Sequence, residues 1–352
     1  MRHTLQGQLG RRADESDAVR REYPALLSAE QLGAVAAHYL RNCQHAWKPN
    51  PDREYLDPDK DLVYEMQFAD EFSDARADDI RTALGIGADE AIYVLWDKKL
   101  SSLFKTTYES LVLCDSGVYY RTGKKAGRLS WEEFRALPAR AIRGGGNTLM
   151  LDGMSFRCHD AGAFMMVLQR LRSELVYARN WPNRDELTFE APGSEEMRAS
   201  ASKRAIDFLR SKESGSAVHT SMEFDDANDF ASDVRGYLDM PEDEAVYAGY
   251  EWSHDSDNPF PETNKELPAS FGAFAFAQSG FYVCLDDGCK KTHTRLIGWD
   301  EFVEVMARDY APSPDGLNSL VIDGTLFGNL GEGVNLYPRL IAELSDELKR
   351  LQ

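Results

Sequence analysis

The chain has 352 residues, about the length of two globular domains. Hydrophobic residues make up 43% of it and charged residues 28%, which is typical of folded proteins and excludes a disordered or fibrous chain. The net charge of −19 (40 Lys and Arg against 59 Asp and Glu) argues against nucleic acid or an anionic membrane as the main partner, because both repel a polyanion, and favours a basic protein.

In chain order, the first predicted element with a clear boundary is a helix over residues 74–84, ended by Gly85. Short apolar runs rich in β-forming residues then predict strands over 91–96, 111–114 and 118–121. The last two of these strands flank a turn at residues 115–117. This part of the chain is therefore predicted to form one helix followed by a small antiparallel sheet.

The next elements are predicted from turn and capping chemistry. Ser130 and Glu133 have the spacing of a capping box, which predicts a helix start. The Asp-Gly pair at 152–153 predicts a hairpin with a two-residue turn. A helix over 163–179 follows, with one apolar face. In the second half of the chain Gly298 stands at the position of Ser130 and is predicted to cap the corresponding helix.

An internal repeat is the strongest signal in the sequence. Five blocks recur in the same order, at an offset that grows from 234 − 80 = 154 residues at Ile80 and Val234 to 344 − 171 = 173 residues at Leu171 and Leu344. The blocks lie within residues 80–93, 116–119, 131–134, 147–156 and 171–175, and recur within 234–247, 279–282, 299–302, 318–327 and 344–348. Insertions in the second copy explain the growing offset.

The repeat predicts the domain organisation. It comprises an N-terminal arm at 1–28, a first repeat with its leading helices at 29–180, a linker at 181–193 and a second repeat at 194–352.

The shared motifs are Ser-Gly-Val-Tyr at 116–119, Trp-Glu-Glu-Phe at 131–134 and Leu-Met-Leu-Asp-Gly at 149–153. With the element order, they resemble those of small bacterial pleckstrin-homology-like domains. The resemblance implies an α+β fold of two duplicated antiparallel β-barrel or sheet units, each closed by a C-terminal helix. Lipid-binding members use a basic cluster in the first hairpin loop, of which Lys98, Lys99 and Lys105 are a partial version.

Motifs for catalysis and metal binding are weak. Asp57, Asp59 and Asp61 have calcium-loop spacing, but the loop's glycine and final glutamate are missing. Cys284 and Cys289 do not have the spacing of a zinc site, so buried thiols are the favoured interpretation. We therefore expect no metal, no cofactor and no enzymatic activity, although an enzyme stays open because a pocket cannot be seen in a sequence.

Two further features bear on location and on aromatic residues. The five cysteines are an odd number, and the polar residues 7–21 lack the apolar core of a secretory signal, so a cytoplasmic protein is predicted. Trp131 and Trp299 occupy equivalent positions and are predicted to anchor the core rather than bind a ligand.

An acidic, duplicated chain without a cofactor motif is similar to immunity proteins, which neutralise bacterial toxins, nucleases among them. That similarity implies a non-catalytic protein whose carboxylates cover the active site of a basic cognate toxin. The predicted partner-binding residues are Asp255, Asp257, Glu262, Glu266, Asp225 and Asp226. The alternative is a signalling or scaffold module that binds a peptide or a lipid head group. Oligomeric state and relative packing of the repeats are not predicted.

Overall fold

The computed structural model shows an α+β protein whose strands form four antiparallel sheets. The residues it describes are 19, 21–47, 66–102, 105–123, 125–145, 147–158, 161–213, 232, 234–252, 272–286, 292–312, 320–327 and 333–351. The predicted α+β class is confirmed.

The first half of the chain, residues 29–180, forms a five-stranded sheet with the order β1-β2-β3-β4-β5 and a three-stranded sheet with the order β6-β7-β8. Its elements are α1 (Ala29–Trp47), β1 (Met66–Phe68), α2 (Asp74–Leu84), β2 (Ile92–Ser102), β3 (Lys105–Cys114), β4 (Gly117–Thr122), β5 (Lys125–Ser130), α3 (Trp131–Ala136), β6 (Ile142–Gly145), β7 (Thr148–Leu151), β8 (Met154–Phe156) and α4 (Ala161–Tyr177).

The second half, residues 194–352, forms a four-stranded sheet with the order β12-β11-β10-β9 and a three-stranded sheet with the order β13-β14-β15. Its elements are α5 (Glu195–Glu213), β9 (Val246–Trp252), β10 (Gly272–Ala277), β11 (Gly280–Asp286), β12 (Thr292–Gly298), α6 (Phe302–Asp309), β13 (Tyr310–Pro312), β14 (Leu320–Ile322), β15 (Thr325–Phe327) and α7 (Gly333–Lys349).

The sheets stay open, so the predicted closure into β-barrels is not found in the described part of the chain. A barrel needs an unbroken ladder of strand pairs. In the first half, α3 and a short 3₁₀ helix (Ala139–Ala141) lie between β5 and β6, so the backbone there makes helical hydrogen bonds instead of a ladder. The two sheets of that half are therefore separate.

Helix ends follow the predicted capping chemistry in the first half. Gly85 adopts the left-handed conformation (φ 69°) and donates its amide to Arg81, ending α2 as predicted. Ser130 and Glu133 form a complete capping box at α3. In the second half the prediction for Gly298 is wrong: α6 begins only at Phe302, because Gly298 has no hydroxyl to accept a first-turn amide.

A glutamate holds the Ser-Gly turn in the same way in both halves. Glu90 accepts the amide of Ser116 over 2.9 Å, and Glu244 accepts that of Ser279 over 2.5 Å. The serine hydroxyls donate to the same carboxylates. The repeated sequence blocks therefore coincide with repeated contacts at this turn.

The two repeated tryptophans also make matched contacts. Trp131 Nε1 donates to the carbonyl of Asp115 over 2.7 Å, and Trp299 Nε1 donates to that of Gln278 over 3.2 Å. Both indole rings are buried. The prediction that they anchor the core is confirmed, since Trp131 and Trp299 each belong to the buried apolar cluster of their half.

The Asp-Gly turns at 152–153 and 323–324 are the third matched feature. Asp152 and Asp323 both have φ 48°, and Gly153 and Gly324 have φ 75° and 77°. The surroundings differ, because Asp152 is exposed and Asp323 is buried. The second turn lies against α4 of the first half.

The matched turns provide a test of that contact. A Cβ built on Gly324 would lie 3.1 Å from the carbonyl oxygen of Gln169 in α4, whereas one built on Gly153 meets nothing within 4 Å. Replacing either glycine with alanine strains a left-handed residue by about 1–2 kcal/mol. We expect Gly324→Ala to cost roughly 1–3 kcal/mol more than Gly153→Ala, because it also crowds the helix backbone. Urea unfolding of both variants measures this; equal losses would contradict the close approach.

Candidate functional site

Helix α4 is enclosed by both halves of the molecule. Phe164, Leu168 and Leu171 belong to the apolar core of the first half. The same helix carries Arg172 and Tyr177, which are fully buried as well. A helix buried all round is in the interior of a protein, and here its polar side faces the second half.

The polar side of α4 contacts a cluster of charged groups that we call the ionic junction. It consists of Glu22, Arg172, Ser173, Tyr177, Arg179, Arg295, Arg308, Asp309 and Asp323.

Asp309, at the end of α6, is one centre of the junction. Its Oδ1 accepts from Arg172 Nη2 over 2.7 Å, and its Oδ2 accepts from the Tyr177 hydroxyl over 2.5 Å. The neighbouring Arg308 donates to Oδ2 over 3.0 Å. The Arg172 and Asp309 side chains are 0% and 1% exposed, so this ion pair between the halves is sealed from water.

Asp323, in the buried Asp-Gly turn, is the other centre. Its Oδ2 accepts from Arg179 and Arg295 over 2.5 Å each, and its Oδ1 accepts from the Ser173 hydroxyl over 2.5 Å. Arg179 and Ser173 belong to the first half, whereas Arg295 is on β12 of the second. One carboxylate thus binds guanidinium groups from both halves.

Tyr177 lies between the two centres. The guanidinium carbons of Arg295, Arg179 and Arg308 lie 4.3, 4.4 and 5.4 Å from the centre of its ring, within the range of cation–π contacts. Burial raises the pKa of the Tyr177 phenol well above its usual value. The hydroxyl therefore stays protonated and donates to Asp309.

The charges of the junction shift the pKa values of its carboxyl groups. Burial alone would raise the pKa of Asp323, but Arg179 and Arg295 outweigh it and hold that pKa far below its usual range. The pKa of Asp309 is lowered against burial by Arg172 and Arg308. All of these carboxylates stay ionised at neutral pH and are bound by arginines, so the junction is built to hold the halves rather than to transfer protons.

The junction could not be found from the repeat. At the offset of 173 residues, Arg172, Ser173 and Tyr177 correspond to Ser345 and Asp346 of α7 and to Arg350 just after it. None of the three is the same residue type. Single polar residues within the predicted helix were the only available signal, and they are compatible with a solvated face.

The residues predicted to bind a partner, namely Asp255, Asp257, Glu262, Glu266, Asp225 and Asp226, lie outside the described residues. The surrounding strands are described. β9 ends at Trp252, and β10 begins at Gly272, its direct antiparallel neighbour. The segment at 253–271 therefore joins two adjacent strands at one end of the four-stranded sheet.

A second acidic region is described, on and beside α2. Asp74, Asp78, Asp79 and Asp89 are all exposed. Arg81 Nη1 pairs with Asp78 over 2.9 Å, which leaves this surface acidic overall. First-turn carboxylates also stabilise the helix through its dipole, so the charge has a structural role of its own.

The cysteines that the structure describes, and Gly144 on β6, are packed inside the protein. Cys114, Cys158 and Cys284 are free thiols and buried, as predicted for Cys284. A Cβ on Gly144 would lie 2.2 Å from the Ala161 carbonyl oxygen, so this glycine packs β6 against α4. The residues 57–61, weighed as a calcium loop, and Cys289 lie outside the described residues. No group of three or more His, Cys, Asp or Glu among the described residues is arranged to hold a metal.

Comparisons with protein-family profiles, with curated proteins and with solved structures find no match to this chain. Within the described residues, no helix combines the length and apolar character needed to cross a membrane.

Substitution of the equivalent aspartates Asp323 and Asp152 tests the role of charge in the junction. Asp323→Asn keeps the side-chain size and tolerates the left-handed conformation, but it removes the carboxylate that Arg179 and Arg295 share. Breaking a buried pair costs about 3–5 kcal/mol, so we expect a loss of that order in the free energy of unfolding. Asp152→Asn, the same change in the exposed turn, should change stability little. Urea unfolding at neutral pH compares them, and similar losses would refute the electrostatic role.

Acid should weaken the junction. The folded-state pKa values of Asp309 and Asp323 are lowered, so their contribution to stability is present above the unfolded-state value of about 4 and is lost as pH falls below it. The stability difference between wild type and Asp323→Asn should therefore shrink by roughly 1.4 kcal/mol per pH unit below about pH 4. Urea unfolding at stepped pH measures this, and a difference that stays constant would contradict it.

Proposed function

We propose that the chain is a tandem duplication of a pleckstrin-homology-like unit. The repeated blocks support this, as do the matched contacts of Glu90 and Glu244, and of Trp131 and Trp299. Each half also has a larger sheet, a three-stranded sheet and a closing helix in the same order.

We further propose that this protein is a non-catalytic binding protein, an immunity protein that neutralises a basic toxin by covering its active site. The observation that carries the proposal is a charge reversal between the halves. In the first half, residues 99–108 lie between Lys98 on β2 and Glu109 on β3. They carry two lysines and no carboxylate, a net charge of +2. The corresponding residues 253–271 carry four carboxylates and one lysine, a net charge of −3.

The position of the acidic segment supports a role in binding. The acidic segment has 19 residues, whereas the corresponding segment of the first half has 10. It connects neighbouring antiparallel strands, which a shorter connection could also join. Loops that extend from a rigid sheet commonly carry the recognition function of a fold. The added length and the added negative charge occur in the same place.

The mechanism follows from electrostatics. An active site that binds phosphates, as in a nuclease, is cationic, and carboxylates on the inhibitor take the place of the phosphates. The net charge of −19 would steer the protein to such a partner and speed association at low salt. The local segment would then define the register of the complex. Asp225 and Asp226 would extend this acidic surface.

The test separates local charge from net charge. In one variant Asp255, Asp257, Glu262 and Glu266 become Asn or Gln. In the matched control, Asp74, Asp78, Asp79 and Asp89 on the α2 surface become Asn, which changes the net charge by the same amount. We expect the first variant to lose roughly 100-fold or more in affinity for the toxin, since charged contacts in an interface cost about 2–5 kcal/mol. The control should lose little.

The partner to test is the product of the neighbouring gene, because immunity genes accompany their toxins. Co-expression should rescue growth of cells that produce this toxin, and calorimetry with the purified pair should give the affinities. Absence of rescue and of binding would reject the proposal. Binding to anionic vesicles instead, lost when Lys98, Lys99 and Lys105 are replaced with Gln, would favour the alternative of a lipid-binding module.

A further inference from the structure

A short segment before α1 crosses the boundary between the halves. We call residues 21–26 the strap. They have no counterpart assigned in the repeat, which begins at the leading helices. They lie outside helices and strands and contact elements on both sides of the ionic junction.

At its beginning the strap binds the second half. Arg21 Nη1 pairs with Asp300 Oδ1 over 3.1 Å, and the Asp300 side chain is 4% exposed. Two residues earlier, Val19 packs against a second-half apolar cluster that includes Val234 and Leu238. The N-terminal end of the strap is therefore anchored beside the turn that follows β12.

At its end the strap binds the first half. Ala25 is completely buried and donates its amide to the carbonyl of Val176 in α4 over 2.8 Å. Leu26 donates to the carbonyl of Thr188 over 2.7 Å, and Ala25 also forms a β-bridge with Phe189. The strap is thus paired with the chain that links the two halves.

Glu22, in the middle, enters the ionic junction. Its Oε2 accepts from Arg179 Nε of the first half over 2.7 Å. Its carbonyl oxygen accepts from Arg295 Nη2 of the second half over 3.2 Å, and His293 Nε2 lies 3.7 Å from its Oε1. One residue of the strap therefore holds an arginine from each half.

Glu22 also improves the charge balance of the junction. The junction contains four arginines but only two carboxylates from the halves themselves, Asp309 and Asp323. Glu22 supplies the third. Arg179 is 9% exposed and Arg295 is 0% exposed, and buried cations are costly unless they are paired.

We propose that the strap is a clamp that keeps the junction closed, and that its release lets the halves separate while each half stays folded. The clamp would control the relative position of the two halves and so the shape of any surface that both contribute. This inference stands independently of the proposed function.

The test uses the full chain with spin labels on exposed alanines of each half. Ala83→Cys on α2 and Ala342→Cys on α7 carry the labels, with Cys43 and Cys289 replaced by Ser. Glu22→Gln removes the charge of the strap, and Glu30→Gln at the exposed start of α1 is the matched control. We expect a single narrow distance distribution for wild type and Glu30→Gln, and a longer, broader one for Glu22→Gln.

Hydrogen exchange separates opening from unfolding. In Glu22→Gln, amides of β12 and of β14–β15 should exchange about tenfold faster or more, whereas those of β3 and β11 inside each half should keep their wild-type rates. Unchanged distances and unchanged exchange at the junction would overturn the clamp. If Glu22→Gln unfolds throughout, Arg21→Gln, which loosens only the second-half anchor, is measured instead. Broadening and faster β12 exchange would support the clamp, and wild-type behaviour would overturn it.

Discussion

Two carboxylates buried between the halves, Asp309 and Asp323, determine how the rest of the molecule is assembled. Each binds arginines that reach it from different parts of the chain, Arg172 and Arg308 at one and Arg179 and Arg295 at the other. Because an unpaired buried charge is costly, moving the halves apart would be opposed by the loss of these pairs. The position of α4, enclosed on all sides, follows from that arrangement.

Apolar side chains also join the halves, since Ala311 and Val321 of the second half are buried in the same cluster as Phe164 of α4. Removing ions from water is expensive, and replacing buried ion pairs with well-packed apolar groups is often neutral or stabilising. We infer that the gain here is in geometry, because a bidentate or shared guanidinium contact fixes distance and angle, whereas an apolar contact tolerates sliding. Tyr177, held between three guanidinium groups and Asp309, adds a further restriction.

Local chemistry was predictable from the sequence, and contacts between the halves were not. Gly85, the Ser130–Glu133 capping box and the Asp-Gly turn at 152–153 act through neighbours in the chain, so their residue types predict their structure. Asp323 has the same sequence context as Asp152 but is buried, because its environment comes from α4, about 150 residues away. Nothing in a local pattern reports such a partner. The predicted acidic site at 253–271 stays a prediction.

The repeat also explains where new function can arise. Residues that the two copies share, such as Trp131 and Trp299, maintain turns and cores, so a change there would damage the unit itself. Residues that differ are free of that constraint, and they include those of the ionic junction and of the acidic segment between β9 and β10. The junction sets one copy rigidly against the other. A rigid scaffold loses less entropy when it binds a partner than two loosely tethered units do, which is how the buried charges of the junction would support binding by the proposed acidic segment.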